Sequence, residues 1–376
     1  MSHLHEISTN IRLYRRRLNL TQKQLAEKLH LSTQAVSSWE MGSTYPDIEN
    51  LLHLSKIFCV SVDTLLKGTI EHNEVFMIGI DGGKVKSDFV LFSSLGTVLK
   101  RFRLAGTSAS VQSVSDAISI LRRGIDLCLL HLPSVSYIFI GNAGAHLLQM
   151  QQMLSEIYTG IEIFVTSCAA NALMCIDEAD GAMILGAGSG LFRPQGDTFQ
   201  TFGGWGHTLG DPGSGYNFGR AACQLAYAYR DGLDDDPLIY DLVMQRMNGA
   251  TLKADNLPPL QMSLLAPVIF DADAQGDQRA AHVIEKEMQD LSRLVNATCP
   301  NGGKIVAVGG VIEHCSDRLL PTLQKWINPS IEVVLSRFPA VFGACRACIK
   351  HFAIKTEQDF DDKFISGFAS MFEVNS

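Results

Sequence analysis

No stretch of this 376-residue chain approaches the ~18 consecutive apolar residues of a membrane span. Its opening residues, Met1-Ser2-His3-Leu4-His5-Glu6, lack the basic-then-apolar profile of a secretory signal. A cytoplasmic location is therefore the default expectation. Paired cysteine spacing is also missing. Nine cysteines are scattered along the chain, and the lone Cys-x-x-Cys, Cys345 and Cys348, has no second pair and no histidine cluster. Reduced, buried thiols are expected there, and no metal site. What remains is the composition of an ordinary soluble protein, 46% hydrophobic and 19% charged, long enough for about two to four domains.

The charge is unevenly spread. Residues 1–68 hold eight basic and six acidic residues, and the remainder holds 23 and 33. A weakly basic head on an acidic body suits a head that binds DNA and a body that avoids it.

Helical signals crowd the head. Ile7, Ile11, Leu13 and Leu18 mark an apolar face, with Arg12, Arg15, Arg16 and Arg17 beside it. Thr21, with Gln24 three residues on, predicts a capping box for a second helix carrying Leu25, Ala26 and Leu29. A turn at His30-Leu31-Ser32 leads to a third helix from Thr33 to about Glu40, with Val36 and Trp39 in the core and Gly42 past its end. Pro46 is read as opening a fourth helix with Leu51, Leu52, Leu54 and Ile57 inward, and Val62, Leu65 and Leu66 mark a last short one. Two short helices joined by a tight turn can set the second in the major groove.

The runs Leu20–Ala26, Leu31–Glu40 and Pro46–Leu52 resemble the Cro-like phage-repressor (XRE) helix-turn-helix family across the whole head. The resemblance implies that Thr33, Gln34, Ser37 and Ser38 face a double-stranded DNA operator. An amide such as Gln34 pairs with an adenine edge. Gln22, Lys23 and the Arg15–Arg17 group, Arg15 and Arg16 foremost, are expected at phosphates.

After a short polar stretch, strands run into small-residue turns. Val75–Ile80 meets Asp81-Gly82-Gly83 and returns near Phe89–Phe92. Ala182–Leu185 meets Gly186-Ala187-Gly188-Ser189-Gly190 and returns at Leu191-Phe192. Ile305–Val308 meets Gly309-Gly310. Helical segments such as Val111–Leu121 and Ala280–Val295 lie between them, which indicates an α/β body. Glycine turns let backbone N–H groups approach a phosphate chain closely. Gly203 to Arg220 holds seven glycines in eighteen residues and stays irregular until a helix near Ser214. Trp205, His207 and Asp211 in that loop suit a sugar, the aromatic for a ring face and the carboxylate for hydroxyls.

Residues 75–355 resemble the BadF/BadG-type ATPases and, within them, the N-acetylglucosamine kinases, most specifically in Gly203–Arg220. The resemblance implies two ribonuclease-H-like lobes of the actin and sugar-kinase type, with a ligand cleft between them, and a homodimer. Expected boundaries are 1–68 for the head, 69–74 for a linker, 75–165 and 166–355 for the lobes, and 356–376 for a C-terminal helix. Phe360, Phe364, Phe368 and Met371 within Glu357–Phe372 give that helix an apolar face. ATP with Mg²⁺ would lie against Gly82, Gly83, Lys84, Gly186, Gly188, Ser189, Gly309 and Gly310. The amino sugar would meet Gly204, Trp205, His207, Asp211 and Asn142.

Several positions depart from the kinase pattern. Family members continue the first turn as Gly-Gly-Gly-Thr, where this chain has Gly82-Gly83-Lys84-Val85. The second loop replaces Gly-Thr-Gly-Ser with Gly186-Ala187-Gly188-Ser189. In Gly141-Asn142-Ala143-Gly144-Ala145-His146, His146 takes the place of the aspartate that serves as general base. A further aspartate is replaced near Ser167-Cys168. Asp81, the metal-side carboxylate, is retained. Donors around the phosphates are thus thinned, and phosphoryl transfer depends on them. The expectation is a transcription regulator that senses an amino sugar or its phosphate with weak or no kinase activity. The alternatives are an active amino-sugar kinase with a DNA-binding head, and a nucleotide sensor.

Overall fold

The structure is a computed structural model that describes residues 3–18, 20–58, 60, 62–67, 74–130, 134–196, 198–248, 257–356 and 359–373. The head is helical: α1 (His3–Arg17), α2 (Gln22–Leu29), α3 (Thr33–Glu40), α4 (Ile48–Phe58) and α5 (Val62–Lys67). Thr21 caps α2 in a full capping box, with Gln24 answering to the Thr21 backbone. Ser32 caps α3 through the Ala35 N–H. Ile7, Ile11, Leu25, Val36, Trp39, Leu54 and Phe58 fill one core. Two details of α4 differ from the expectation. Its cap is Asp47, which accepts the Asn50 N–H at 2.8 Å, and not Pro46. Leu52 is half exposed, because the inward stripe runs through Leu51, Leu54 and Phe58 and Leu52 falls off it. Most of the expected linker, 69–73, lies outside the described residues, as does Glu357.

The body repeats one sheet twice. The first sheet has order β3-β2-β1-β4-β5, built from β1 (Phe76–Gly82), β2 (Lys86–Ser93), β3 (Val98–Ala105), β4 (Val135–Asn142) and β5 (Glu162–Ser167). The second has order β10-β9-β6-β7-β8, from β6 (Gly181–Leu185), β7 (Ser189–Gln195), β8 (Thr198–Gly203), β9 (Gly303–Val308) and β10 (Ile331–Leu335). In each, three antiparallel strands continue into two parallel ones. This is the two-lobed mixed α/β architecture expected of a sugar-kinase-like body.

Alternation along β1 sets both faces of the first sheet. Ile78 and Ile80 pack under α6 (Val114–Leu129) and α7 (Leu147–Ile157). Met77 faces Phe342, Cys345, Phe364 and Phe368 on the helices Ala340–His351 and Phe360–Glu373. Cys345 and Cys348 are buried in that layer, as thiols of a core. The expected boundary after 165 therefore needs correction. β5 runs on to Ser167 in the first sheet, and the chain from Ala340 returns to cover that sheet. α8 (Cys168–Leu173) brings Ala172 against Ala182, Val306 and Val308 of the second sheet.

Candidate functional site

The parallel register aligns the ends of three strands. Asp81 pairs with Gly141 and Gly141 with Thr166; Gly82 pairs with Asn142 and Asn142 with Ser167. Asp81 thus stands beside the start of α8. Asn171 on α8 donates its amide to Asp81 Oδ1 at 2.7 Å. Enclosure by protein pushes the Asp81 carboxyl up to about 7, with the Asn171 bond opposing the shift and Asp88 and Glu313 adding to it. Cys168 is near enough to Asp81 and Lys84 to sense both charges. Burial, and then Asp81, push its thiol up to about 12, so a protonated thiol stands where the kinase resemblance has a carboxylate.

The β1–β2 turn carries Lys84 into the cleft. Gly83 N–H bonds Lys86 O, Gly106 N–H bonds Val85 O, and Thr107 and Ser108 N–H bond Gly83 O. This backbone clasp fixes the turn. The Lys84 ammonium lies 3.8 Å from Asp211 Oδ2 on the other lobe. A Cβ on Gly188 would sit 2.4 Å from Lys84 Nζ and 2.7 Å from Asp211 Oδ2. Glycine at 188 leaves room for this pair as it stands, and a Cβ there would push the Lys84 terminus aside.

The second lobe ties its glycine turns to the sugar loop. Gly215 and Tyr216, opening α9 (Gly215–Arg230), donate to the carbonyls of Gly186 and Ala187. Ser189 Oγ donates to Pro212 O at 2.8 Å. Gly309 packs on the Leu185 carbonyl, where a Cβ would come within 2.5 Å, and its N–H donates to Glu313 Oε1 at 3.0 Å. Gly310 beside it faces open space. Asp211 holds a left-handed backbone, is 1% exposed, and accepts the Gly206 N–H at 3.1 Å through Oδ1. Glu287 accepts from Gly213 N–H and the Asn217 amide. His207 packs on the Tyr216 ring. Trp205, between Gly204 and Gly206, both with positive φ, is 76% exposed.

Lys84, Gly188, Ser189, Asp211 and the Gly203–Gly213 loop thus meet where the two lobes face each other, with Cys168 close enough to feel both Lys84 and Asp81. Asn142 requires a correction. It is buried, accepts from Thr107 Oγ1 at 2.7 Å and donates to Thr107 O at 3.1 Å, so its amide supports the Gly82 turn and is not offered to a sugar. His146 opens α7 in a left-handed conformation, exposed, with no side-chain capping bond. An imidazole in open water without an orienting partner is poorly placed as a general base. Asn171, Glu287 and Glu313 carry no sequence signal of a site, yet each holds a group of the cleft.

In the head, Thr33 and Gln34 are exposed on α3, and Ser37 and Ser38 are half-buried on it. Lys23 and Arg16 are exposed nearby in sequence. Arg15 is the second correction. It is buried, with its guanidinium bonded to both Glu40 oxygens and to Leu20 O, so it braces α1 against α3 and has no free fork for phosphate. The Gln22 amide bonds the same carboxylate at 2.9 Å.

Residues 11–65 match a helix-turn-helix family profile, and residues 78–345 match that of the BadF/BadG/BcrA/BcrD ATPase family. The head is 46% identical over 63 residues to the HTH-type transcriptional activator BcrR of Enterococcus faecalis, a match covering 17% of this chain and 31% of that one. The chain thus spans about a third of that relative's length. An N-acetylmuramic acid/N-acetylglucosamine kinase of Clostridium acetobutylicum is 23% identical over 298 residues, covering 72% of this chain and 96% of the kinase. The crystal structure of a proposed N-acetylglucosamine kinase from Chromobacterium violaceum superposes with a TM-score of 0.62 at 21% identity, covering 73% of this chain and 99% of the other. That likeness establishes the fold.

Proposed function

Because this chain belongs to the BadF/BadG/BcrA/BcrD ATPase family over residues 78–345 and carries a helix-turn-helix head, we propose that it is a sequence-specific transcription regulator whose sugar-kinase-like body senses an amino sugar or an amino-sugar phosphate. The observation that carries this reading is the asymmetry of the cleft. The loop assigned here to the sugar is braced, with Asp211 buried and bonded to Gly206, and Gly213 and Asn217 held by Glu287.

The phosphate side of the cleft is altered. ATP with a divalent cation, which the family description implies, fits these residues poorly. The Lys84 ammonium lies beside Gly188 and offers one charge there, while the hydroxyls of the kinase pattern at both glycine turns are absent from Val85 and Ala187. The Gly309 N–H is already taken by the Glu313 carboxylate, which repels a phosphate there. Ligand binding without turnover is the chemistry this arrangement favours.

Two heads on a homodimer would meet operator half-sites about 34 Å apart. A ligand changes DNA affinity only if it binds the DNA-competent and DNA-incompetent arrangements unequally. The test is thermal melting of the full chain with N-acetylglucosamine, its 6-phosphate and Mg²⁺–ATP, each alone, followed by operator binding with the ligand that shifts. A ligand at 100 times its Kd stabilises by about 2.7 kcal/mol. A shift with ATP alone would overturn the reading in favour of a nucleotide sensor. Asp81, retained in the cleft, favours the second reading, an active ATP-dependent amino-sugar kinase, which phosphate transfer from ATP to N-acetylglucosamine would establish.

A further inference from the structure

We infer that the cleft is built for a phosphorylated amino sugar bound without a metal ion, with the Lys84 ammonium as its fixed cation. This rests on the sugar-sensing reading above and names the form of the effector. In the free protein Lys84 and Asp211 satisfy each other across the cleft, 3.8 Å apart. Asp211 also holds Gly206 through its other oxygen, so the buried oxygen facing Lys84 is the one a sugar hydroxyl would take by displacing the ammonium. A sugar that takes it draws the carboxylate away from Lys84.

The two partners then fare differently. Asp211 gains hydroxyl donors. Lys84 is 32% exposed and its backbone is held at the cleft by the clasp on Gly83 and Val85, so its ammonium stays within reach of Gly188 and has lost part of its hydration. A neutral sugar offers it no anion, and a partly buried ammonium left unpaired is costly. A phosphate ester on the same sugar restores the pair. The ammonium beside Gly188 supplies the positive charge that the ester needs, so the exchange calls for no divalent cation. Lys84 thereby becomes the residue that distinguishes the ester from the free sugar.

A charge-assisted bond of this kind is worth about 10- to 100-fold in affinity. The experiment is isothermal titration calorimetry of the full chain, in EDTA and separately with Mg²⁺, with N-acetylglucosamine, N-acetylglucosamine 6-phosphate and inorganic phosphate, on wild type, Lys84→Ala and Lys84→Arg. The expected result is about 10- to 100-fold tighter binding of the ester than of the sugar in wild type. That ratio should collapse toward one in Lys84→Ala and recover in part in Lys84→Arg. Equal affinity of wild type for sugar and ester, a preference that appears only with Mg²⁺, or an equal fall of both ligands in Lys84→Ala would each overturn the inference and leave the sugar reading standing. Phosphate binding as tightly as the ester would show an anion site without sugar recognition and overturn both. No binding of sugar or ester to wild type would likewise remove both.

Discussion

The Lys84 ammonium and the Asp211 carboxylate meet 3.8 Å apart, one from each lobe, and the backbone of Gly188 leaves room for the pair by having no Cβ. Asp211 is the more buried partner and also holds the Gly206 N–H. Asp211→Ala would leave the Gly206 N–H without its acceptor and the Lys84 ammonium without its counter-charge, a loss of about 1–3 kcal/mol. Chemical denaturation should show that loss, and the sugar-induced melting shift should vanish with it. Operator binding by the ligand-free variant should persist, because the head has its own core. A full melting shift in Asp211→Ala would place the ligand elsewhere.

Asp81 should give the body a measurable pH dependence. Its carboxyl is raised from 3.8 to about 7, mainly by burial. Between those values the folded chain binds a proton that the unfolded chain releases. Stability from this group is therefore present at the acid end and declines as pH rises through 7. Asp81→Asn removes the titration. Its melting temperature should change less than that of wild type between pH 5 and 8, and should exceed wild type at pH 8. Parallel profiles for the two proteins would mean that Asp81 is ionised throughout.

What the sequence disclosed and what it concealed divide by distance along the chain. The Thr21–Gln24 capping box, the glycine turns and the start of α9 at Ser214 rest on residues within a few positions of each other, and all are present. Polar side chains with remote partners are the ones that local pattern does not place. Asn142 and Arg15 look like ligand contacts by type, but Thr107 and Glu40 engage them from 35 and 25 residues away. Asn171 and Glu287 act on Asp81 and Gly213 across 90 and 74 residues. No local pattern marks such partners. Lys84 was legible as an anomaly in a tight turn, but its contact with Asp211 needed the two lobes to be set face to face.

Arg15 and Glu40 lock the first and third helices of the head. Both side chains are nearly enclosed. Burial alone would raise the Glu40 carboxyl, but hydrogen bonds from Arg15 and Gln22 outweigh it and hold the carboxyl below its usual 4.5. A depressed carboxyl contributes stability above the unfolded value, and that contribution is lost as pH falls through the folded one. The head should accordingly weaken below about pH 4.5. Glu40→Ala leaves a buried guanidinium unpaired and should cost about 3 kcal/mol at neutral pH. Operator binding should fall with it even though neither residue faces DNA. Circular dichroism of the head region's melting against pH checks the first expectation, and denaturation of the variant checks the second.

The exposed face of α3 and the flanking cations should separate by what they read. Gln34 stands exposed one residue into α3, where a side chain reaches base edges. Gln34→Ala should weaken operator binding by about 1–3 kcal/mol and relax preference at one base pair. Lys23, exposed on α2, would act on phosphate. Lys23→Ala should weaken operator and unrelated DNA alike and reduce the slope of log K against log salt by about one. Neither change touches the buried core of the head, so both variants should melt as wild type does. Fluorescence anisotropy over a salt series, with operator and scrambled duplexes, measures both effects at once. If Gln34→Ala instead lowered binding uniformly across sequences and Lys23→Ala altered base preference, α3 would not be the recognition helix, and the orientation of the head on DNA would have to be reversed.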